Sequence, residues 1–192
     1  MAFALVLLII GLVLVAGCTS LTSAGSQSTL SAGAAVQAVN SGKLVALLPA
    51  APAGWKLGDY YHPKPTGETM PSTSTGLPWT LASAGYTSTA NKDTTAIIVI
   101  QDTGNQAVGY KSILMSDQSK ETTEQSFKST RVKGYLAWEY SPASDKSNGL
   151  LRNGIISVND RFMVMVKVEG GTKAEYDTFV NAIDFAGIAA LK

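Results

Sequence analysis

The first charged side chain in the chain is Lys43. Before it, residues 1–17 are almost entirely apolar, and residues 19–33 are mostly Ser, Thr and Gly. An apolar stretch without polar positions has no face to turn towards water, and a neutral Ser/Thr-rich stretch buries too little apolar surface to fold. Globular structure is therefore confined to the remainder, about 150 residues, which is enough for one domain with its own core.

The apolar leader, residues 1–17, has two possible roles. As a helix that rises about 1.5 Å per residue, it is at the short limit for crossing about 30 Å of hydrocarbon. As a secretory signal, it has the required apolar region and it ends in small residues. The small residues at its end favour the signal peptide over the membrane span.

Val15, Ala16, Gly17 and Cys18 resemble the lipobox of prokaryotic lipoproteins, which has a branched apolar residue, two small residues and a cysteine. The resemblance implies a diacylglyceryl thioether on Cys18 and cleavage of the chain just before it. Two acyl chains hold a protein durably on a membrane, whereas one chain is marginal. The alternative is an unmodified Cys18 in an uncleaved anchor helix. Both interpretations place the folded part at the cell membrane, on its extracytoplasmic side.

These features divide the chain into three parts. Residues 1–17 are a predicted lipoprotein signal peptide, residues 18–40 a lipid-anchored, Ser/Thr-rich flexible tether, and residues 41–192 a single globular domain. A tether of this composition behaves as a random coil, and about 15 residues of it span about 20 to 25 Å. Because Cys18 is the only cysteine, the domain has no disulfide to stabilise it.

Most of the domain after Trp79 has the pattern of β-strands. Residues 97–100 are a continuous apolar run, typical of a strand that is covered on both faces. By contrast, residues 49–78 contain six of the seven prolines and predict a long irregular loop. Helices are predicted for residues 41–48 and for residues 105–115.

The clearest local signal lies in residues 151–170. Asn159 and Asp160 tolerate positive φ and separate two apolar segments, which predicts a β-hairpin. In the second segment, Phe162 and every second residue after it should face the core. The opposite face, expected to be half covered, then carries Arg161, Met163, Met165 and Lys167.

The C-terminal residues predict an amphipathic helix. Thr172 and Glu175 have the spacing of a capping box, and Tyr176 and Phe179 begin one apolar face. Strands followed by such a helix favour an α+β fold with a single antiparallel sheet of about five to six strands, packed by helices, with the C-terminal helix on the sheet. This layout resembles the Mog1/PsbP-like class of accessory domains, without a motif that transfers site residues.

The sequence gives little support for catalysis. His62 is the only histidine, so catalytic triads and multi-histidine metal sites depend on it and have no partner at a suggestive spacing. Nothing in the sequence places any two of the candidate acid/base carboxylates close together. These candidates are Asp59, Glu68, Asp93, Asp102 and Glu139. The formal net charge of +1 gives no electrostatic footprint for nucleic acid. We expect neither a cofactor nor a metal.

The best candidate for a ligand or partner surface is an aromatic stretch in the proline-rich region, formed by Trp55, Tyr60, Tyr61 and His62. Large rigid side chains contribute contact area at low entropic cost, as they do in recognition surfaces. The alternative is that these rings fill one edge of the core, because a domain of this size usually uses its tryptophans internally.

The sequence thus predicts a membrane-anchored extracytoplasmic lipoprotein that serves as a non-enzymatic binding or accessory module of the cell envelope. Its expected partners are the membrane, through the lipid on Cys18, and an envelope protein or small ligand. Two alternatives stay open. One is an extracytoplasmic hydrolase whose two carboxylates lie about 5 to 10 Å apart, and the other is a purely structural envelope protein.

Overall fold

The computed structural model describes residues 36–58, 64–71, 78–104, 120–121, 125–142 and 151–192. In these ranges the chain forms nine strands and three helices. The strands are β1 (Trp55–Leu57), β2 (Thr66–Met70), β3 (Trp79–Ser88), β4 (Thr95–Asp102), β5 (Lys120–Glu121), β6 (Gln125–Val132), β7 (Tyr135–Pro142), β8 (Leu151–Val158) and β9 (Phe162–Glu169). The helices are α1 (Ser41–Val45), α2 (Lys173–Ala182) and α3 (Phe185–Ala189).

All nine strands belong to one sheet with the order β1-β3-β4-β9-β8-β7-β6-β5, and every pairing is antiparallel. The remaining strand, β2, pairs with residues 79–83 of β3, while β1 pairs with residues 86–88 on the same edge. The nine strands therefore occupy eight positions across the sheet. The predicted antiparallel sheet with the C-terminal helix packed on it is confirmed, but the predicted number of five to six strands is wrong.

The strands that the sequence analysis missed are the short ones. β1, β2 and β5 have three, five and two residues, too few to show an alternating pattern. β1 and β2 lie within residues 49–78, which were wrongly predicted to be irregular throughout. Pro65 and Pro71 directly flank β2 and do not interrupt it, because a strand at the edge of a sheet tolerates proline at its ends.

The helices in the described ranges all pack on one face of the sheet, which we call the covered face. Phe179 of α2 is fully buried between two aromatic rings, with centroid distances of 4.7 Å to Trp55 and 4.9 Å to Tyr86. Burying an aliphatic or aromatic side chain contributes about 1.5 to 3 kcal/mol. The strand residues buried beneath the helices are Ala82, Ala84, Tyr86, Ala96, Ile98, Ile100, Ala137, Ile156, Val158, Phe162, Val164, Val166 and Val168.

The predicted C-terminal helix and its capping box are confirmed. The Glu175 amide donates to Thr172 Oγ1 at 3.3 Å, and the Thr172 amide donates to Glu175 Oε2 at 2.7 Å. Asp184 caps the start of α3 with a single bond, since its Oδ1 accepts from the Gly187 amide at 2.8 Å. These two caps set the positions at which α2 and α3 begin on the sheet.

The predicted hairpin is also confirmed. Asn159 and Asp160 lie at its turn with φ of 52° and 56°, and the Arg161 amide donates to the Val158 carbonyl at 3.2 Å. Positive φ at both central residues gives a turn whose twist matches that of the flanking strands. The helix predicted for residues 105–115 lies outside the described residues.

Candidate functional site

Of the predicted site residues, Trp55 is the one that lies within the described ranges. Trp55 begins β1, is 9% exposed, and packs with its ring nearly perpendicular to that of Phe179. It therefore fills the core at one edge of the sheet and does not contribute to an exposed recognition surface. Cys18, Tyr60, Tyr61 and His62 lie outside the described residues.

A further candidate surface lies on the other side of the sheet, which we call the open face. Along β9 the burial alternates strictly, because Phe162 and Val164 point into the core while Met163 and Met165 are half-buried on the opposite side. Strand pairing places one row of side chains across this face, namely Trp138, Ile155, Met165 and Val99, from β7, β8, β9 and β4. In the described ranges, no helix packs on it.

A second row runs beside the first. It contains Leu136, Ser157, Met163 and Gln101, which pair across the same four strands, and all of them are half-buried. These two rows thus form a strip of mixed but mainly apolar side chains on the open face, with two methionines and one tryptophan. Methionine adapts its shape to a partner, and tryptophan contributes more contact energy than most residues.

Sequence reasoning identified the alternation in β9 and expected Met163, Met165 and Lys167 to be half covered, as they are. It did not identify the strip as a surface. The missing information was the order of the strands, since β4 and β9 are neighbours in the sheet although they are distant in the sequence. Composition pointed instead to the aromatic stretch that contains Trp55.

Among the described acidic residues, the most deeply buried is Asp102, at the end of β4. Its carboxylate is fully buried and accepts four hydrogen bonds. Two come from Arg161 at 2.9 and 2.8 Å, and two come from the amides of Val39 at 2.7 Å and Gly104 at 2.9 Å. The hydrogen bonds to Asp102 raise the pKa of the Arg161 guanidinium above its usual value. The lone pairs of the Asp102 carboxylate therefore accept hydrogen bonds from the protein itself.

Glu139 of β7 also makes internal contacts. Its Oε1 accepts from the Tyr176 hydroxyl at 3.3 Å, and its Oε2 lies 3.7 Å from Lys128 Nζ. Burial of the phenol, together with the adjacent Glu139 charge, raises the pKa of Tyr176 well above its usual range. The Tyr176 hydroxyl lies directly over Gly154, where it occupies the space that a Cβ at position 154 would need.

Asp102 and Glu139 do not form the carboxylate pair of a hydrolase. They lie on β4 and β7, three positions apart in the sheet, and strands spaced about 4.8 Å apart put their backbones roughly 14 Å from each other. Glu68 and Asp93 are exposed on β2 and in the β3–β4 turn, and Asp59 lies outside the described residues. Within the described ranges, no three His, Cys, Asp or Glu residues come together to hold a metal ion.

The comparisons with known proteins do not assign this chain to a family. No protein-family model matches the sequence, and no curated protein is significantly similar to it. For the described part of the chain, none of the helices is long and apolar enough to span a bilayer.

Proposed function

We propose that the protein is a membrane-anchored extracytoplasmic lipoprotein whose folded domain is a non-enzymatic binding module of the cell envelope. The observation that carries the binding role is the open face. Four adjacent strands present the Trp138, Ile155, Met165 and Val99 row there, half-buried, while the described helices are all on the other side. A contiguous apolar strip on a folded domain is typical of an interaction surface.

The partner that fits this face best is a protein with a complementary apolar strip. The two rows extend across four adjacent strands of the sheet, whereas sites for small molecules are concave and enclose most of their ligand. Met163 and Met165 lie on adjacent rows at its centre and have the flexibility to pack against an irregular partner surface. We therefore favour an envelope protein over a small solute.

The non-enzymatic part of the proposal rests on the contacts of two carboxylates, Asp102 and Glu139. The Asp102 carboxylate is saturated by Arg161 and two backbone amides, and Glu139 is engaged by Tyr176 and Lys128. A general acid or base must exchange a proton with a substrate within hydrogen-bond reach. These two carboxylates serve internal structure instead, which favours a binding role.

The binding proposal can be tested by site-specific photo-crosslinking in native membranes. A benzoylphenylalanine at position 163, on the open face, should form an adduct with a defined envelope protein. The matched control is the same residue at position 174, exposed on α2 on the covered side. Met165→Lys in the position 163 variant should abolish the adduct. The same adducts at both positions, or none at position 163, would contradict the assignment of this surface.

The anchor is tested separately with Cys18→Ala. This variant should lose incorporation of labelled fatty acid and accumulate as an uncleaved precursor, because the thioether forms on the Cys18 sulfur. Cys18→Ser is the matched control for side-chain size, and it should behave like the alanine variant. Normal maturation of both variants, with no lipid on the wild type, would show that the lipobox assignment is wrong.

A further inference from the structure

We propose that residues 36–40 form a junction that resists mechanical force between the membrane tether and the sheet, with the Asp102 carboxylate as its central hydrogen-bond acceptor. The inference rests on the proposed lipid anchor only for the origin of the load. Its structural basis lies entirely in described residues at the end of the sheet where β4 ends and β9 begins.

Residues 36–40 are attached to the sheet along their length, although the sequence predicts that they are the end of the flexible tether. The Val36 amide donates to the Gly104 carbonyl at 2.9 Å, and Arg161 Nη2 donates to the Gln37 carbonyl at 3.3 Å. Val39 is 6% exposed. Its amide donates to Asp102 at 2.7 Å, and its carbonyl accepts from the Thr80 hydroxyl at 2.8 Å.

These contacts join the segment to three strands at once, since Thr80 is in β3, Asp102 ends β4 and Arg161 directly precedes β9. β3, β4 and β9 are neighbours in the sheet. The Asp102–Arg161 pair is bidentate, which fixes its geometry as well as its distance. Because the Asp102 carboxylate is fully buried, removing its charge leaves the Arg161 guanidinium without its counter-ion in a partly desolvated site.

The junction protects α1, the helix that directly follows it. α1 follows at Ser41, has only five residues, and supplies the fully buried Leu44 to the core. A helix of this length has little stability of its own. If residues 36–40 were free, a pull from the N-terminal side would act directly on α1 and draw Leu44 out of the core. With the junction intact, the pull acts first on the hydrogen bonds to β3, β4 and β9.

The test is mechanical and uses the full chain in detergent. The Cys18 thiol, the only one in the sequence, carries one handle of an optical trap, and a tag after Lys192 carries the other. The wild type should extend in its main unfolding step without earlier release of α1. Asp102→Asn should show an additional step at lower force, in which residues 36–45 are released and the contour grows by about 35 Å at about 3.6 Å per residue.

Asp93→Asn is the matched control, because Asp93 is an exposed carboxylate in the β3–β4 turn, and this variant should pull like the wild type. If Asp102→Asn does not fold, Arg161→Lys keeps the positive charge but removes the bidentate geometry, and it should show the same early step. The early step in the wild type, or its absence from both junction variants, would overturn the proposal. Since the handle replaces the lipid, this result does not depend on whether Cys18 is lipidated in the cell.

Discussion

The two faces of the sheet differ although they are built from the same strands. On β9, Phe162, Val164 and Val166 are at most 1% exposed on the covered face, while the residues between them on the open face, Met163 and Met165, are half-buried. Both sets are apolar, so composition does not separate them. The difference is the partner: α2 and α3 pack on one side, and no described helix packs on the other. The apolar residues of a strand therefore do not show by themselves which face is buried. The elements that pack on the sheet determine which face becomes core.

The most direct test of this difference between the faces is to truncate two adjacent residues of β9 that lie on opposite faces. Phe162→Ala should lower the free energy of unfolding by about 3 to 5 kcal/mol, because a cavity forms in a close-packed core. Met163→Ala should cost about 1 kcal/mol, since the site is only half-buried. Urea unfolding of both variants measures the difference. Equal losses would mean that the open face is as tightly packed as the covered face.

The close approach of α2 to β8 gives a second prediction. Gly154→Ala should destabilise the protein by about 1 to 3 kcal/mol, because the new methyl group overlaps the Tyr176 hydroxyl and the helix must shift. Tyr176→Phe in the same chain should restore part of the loss by removing the overlapping oxygen. Ser157→Ala, on the open face of the same strand, is the control. If Tyr176→Phe restores nothing, the cost of Gly154→Ala has another origin.

The pH dependence of unfolding gives a third test of the covered face, because two of its tyrosines have a raised pKa. Burial is the main cause for both Tyr86 and Tyr176. Above about pH 10 the unfolded chain loses these phenolic protons while the folded chain keeps them, so stability that is complete below pH 10 falls as the pH rises. The slope should be about 1.4 kcal/mol per pH unit for each tyrosine.

Tyr86→Phe should reduce that slope by the share of one tyrosine, as measured by urea unfolding at several pH values from neutral to alkaline. The variant also loses the 2.7 Å hydrogen bond from the Tyr86 hydroxyl to the Pro49 carbonyl, which lowers stability by about 1 kcal/mol at every pH. An unchanged slope in Tyr86→Phe would show that the Tyr86 phenol does not contribute to the alkaline loss.

The smallest expected effect concerns the start of α2 on the covered face. Thr172→Ala should cost about 1 kcal/mol, because the Glu175 amide loses its acceptor at the helix N-terminus. Thermal unfolding measures the change. Thr178→Ala is the control, because its exposed hydroxyl donates to the Ala174 carbonyl one turn earlier, and it should change stability little. A similar loss in both variants would argue against the capping role of Thr172.

The sequence predicted the elements that are long or that carry specific local chemistry. The β8–β9 hairpin followed from Asn159 and Asp160, and α2 followed from the Thr172 and Glu175 spacing. β1 and β2 could not be predicted in the same way, because they are short and form only by pairing with β3. Their formation depends on the strand with which they pair, and a local sequence pattern does not show that strand.

The candidate site was harder to predict for a related reason. Trp55 is of a residue type that is common in recognition surfaces. Its contact with Phe179, which is distant in the sequence, places it in the core. Similarly, Asp102 and Arg161 become a pair only when β4 lies beside β9. Side chains acquire their roles here through contacts between distant strands, and one sequence without that pairing cannot assign them.

The pairing of β4 with β9 also constrains when the domain can fold. β9 lies between β4 and β8 in the sheet, so the register of Thr95 with Glu169 and of Asp102 with Phe162 forms only after the C-terminal part of the chain is available. Contacts between such distant residues close slowly. During synthesis from the N-terminus, the two halves of the sheet therefore stay unpaired until β9 leaves the ribosome.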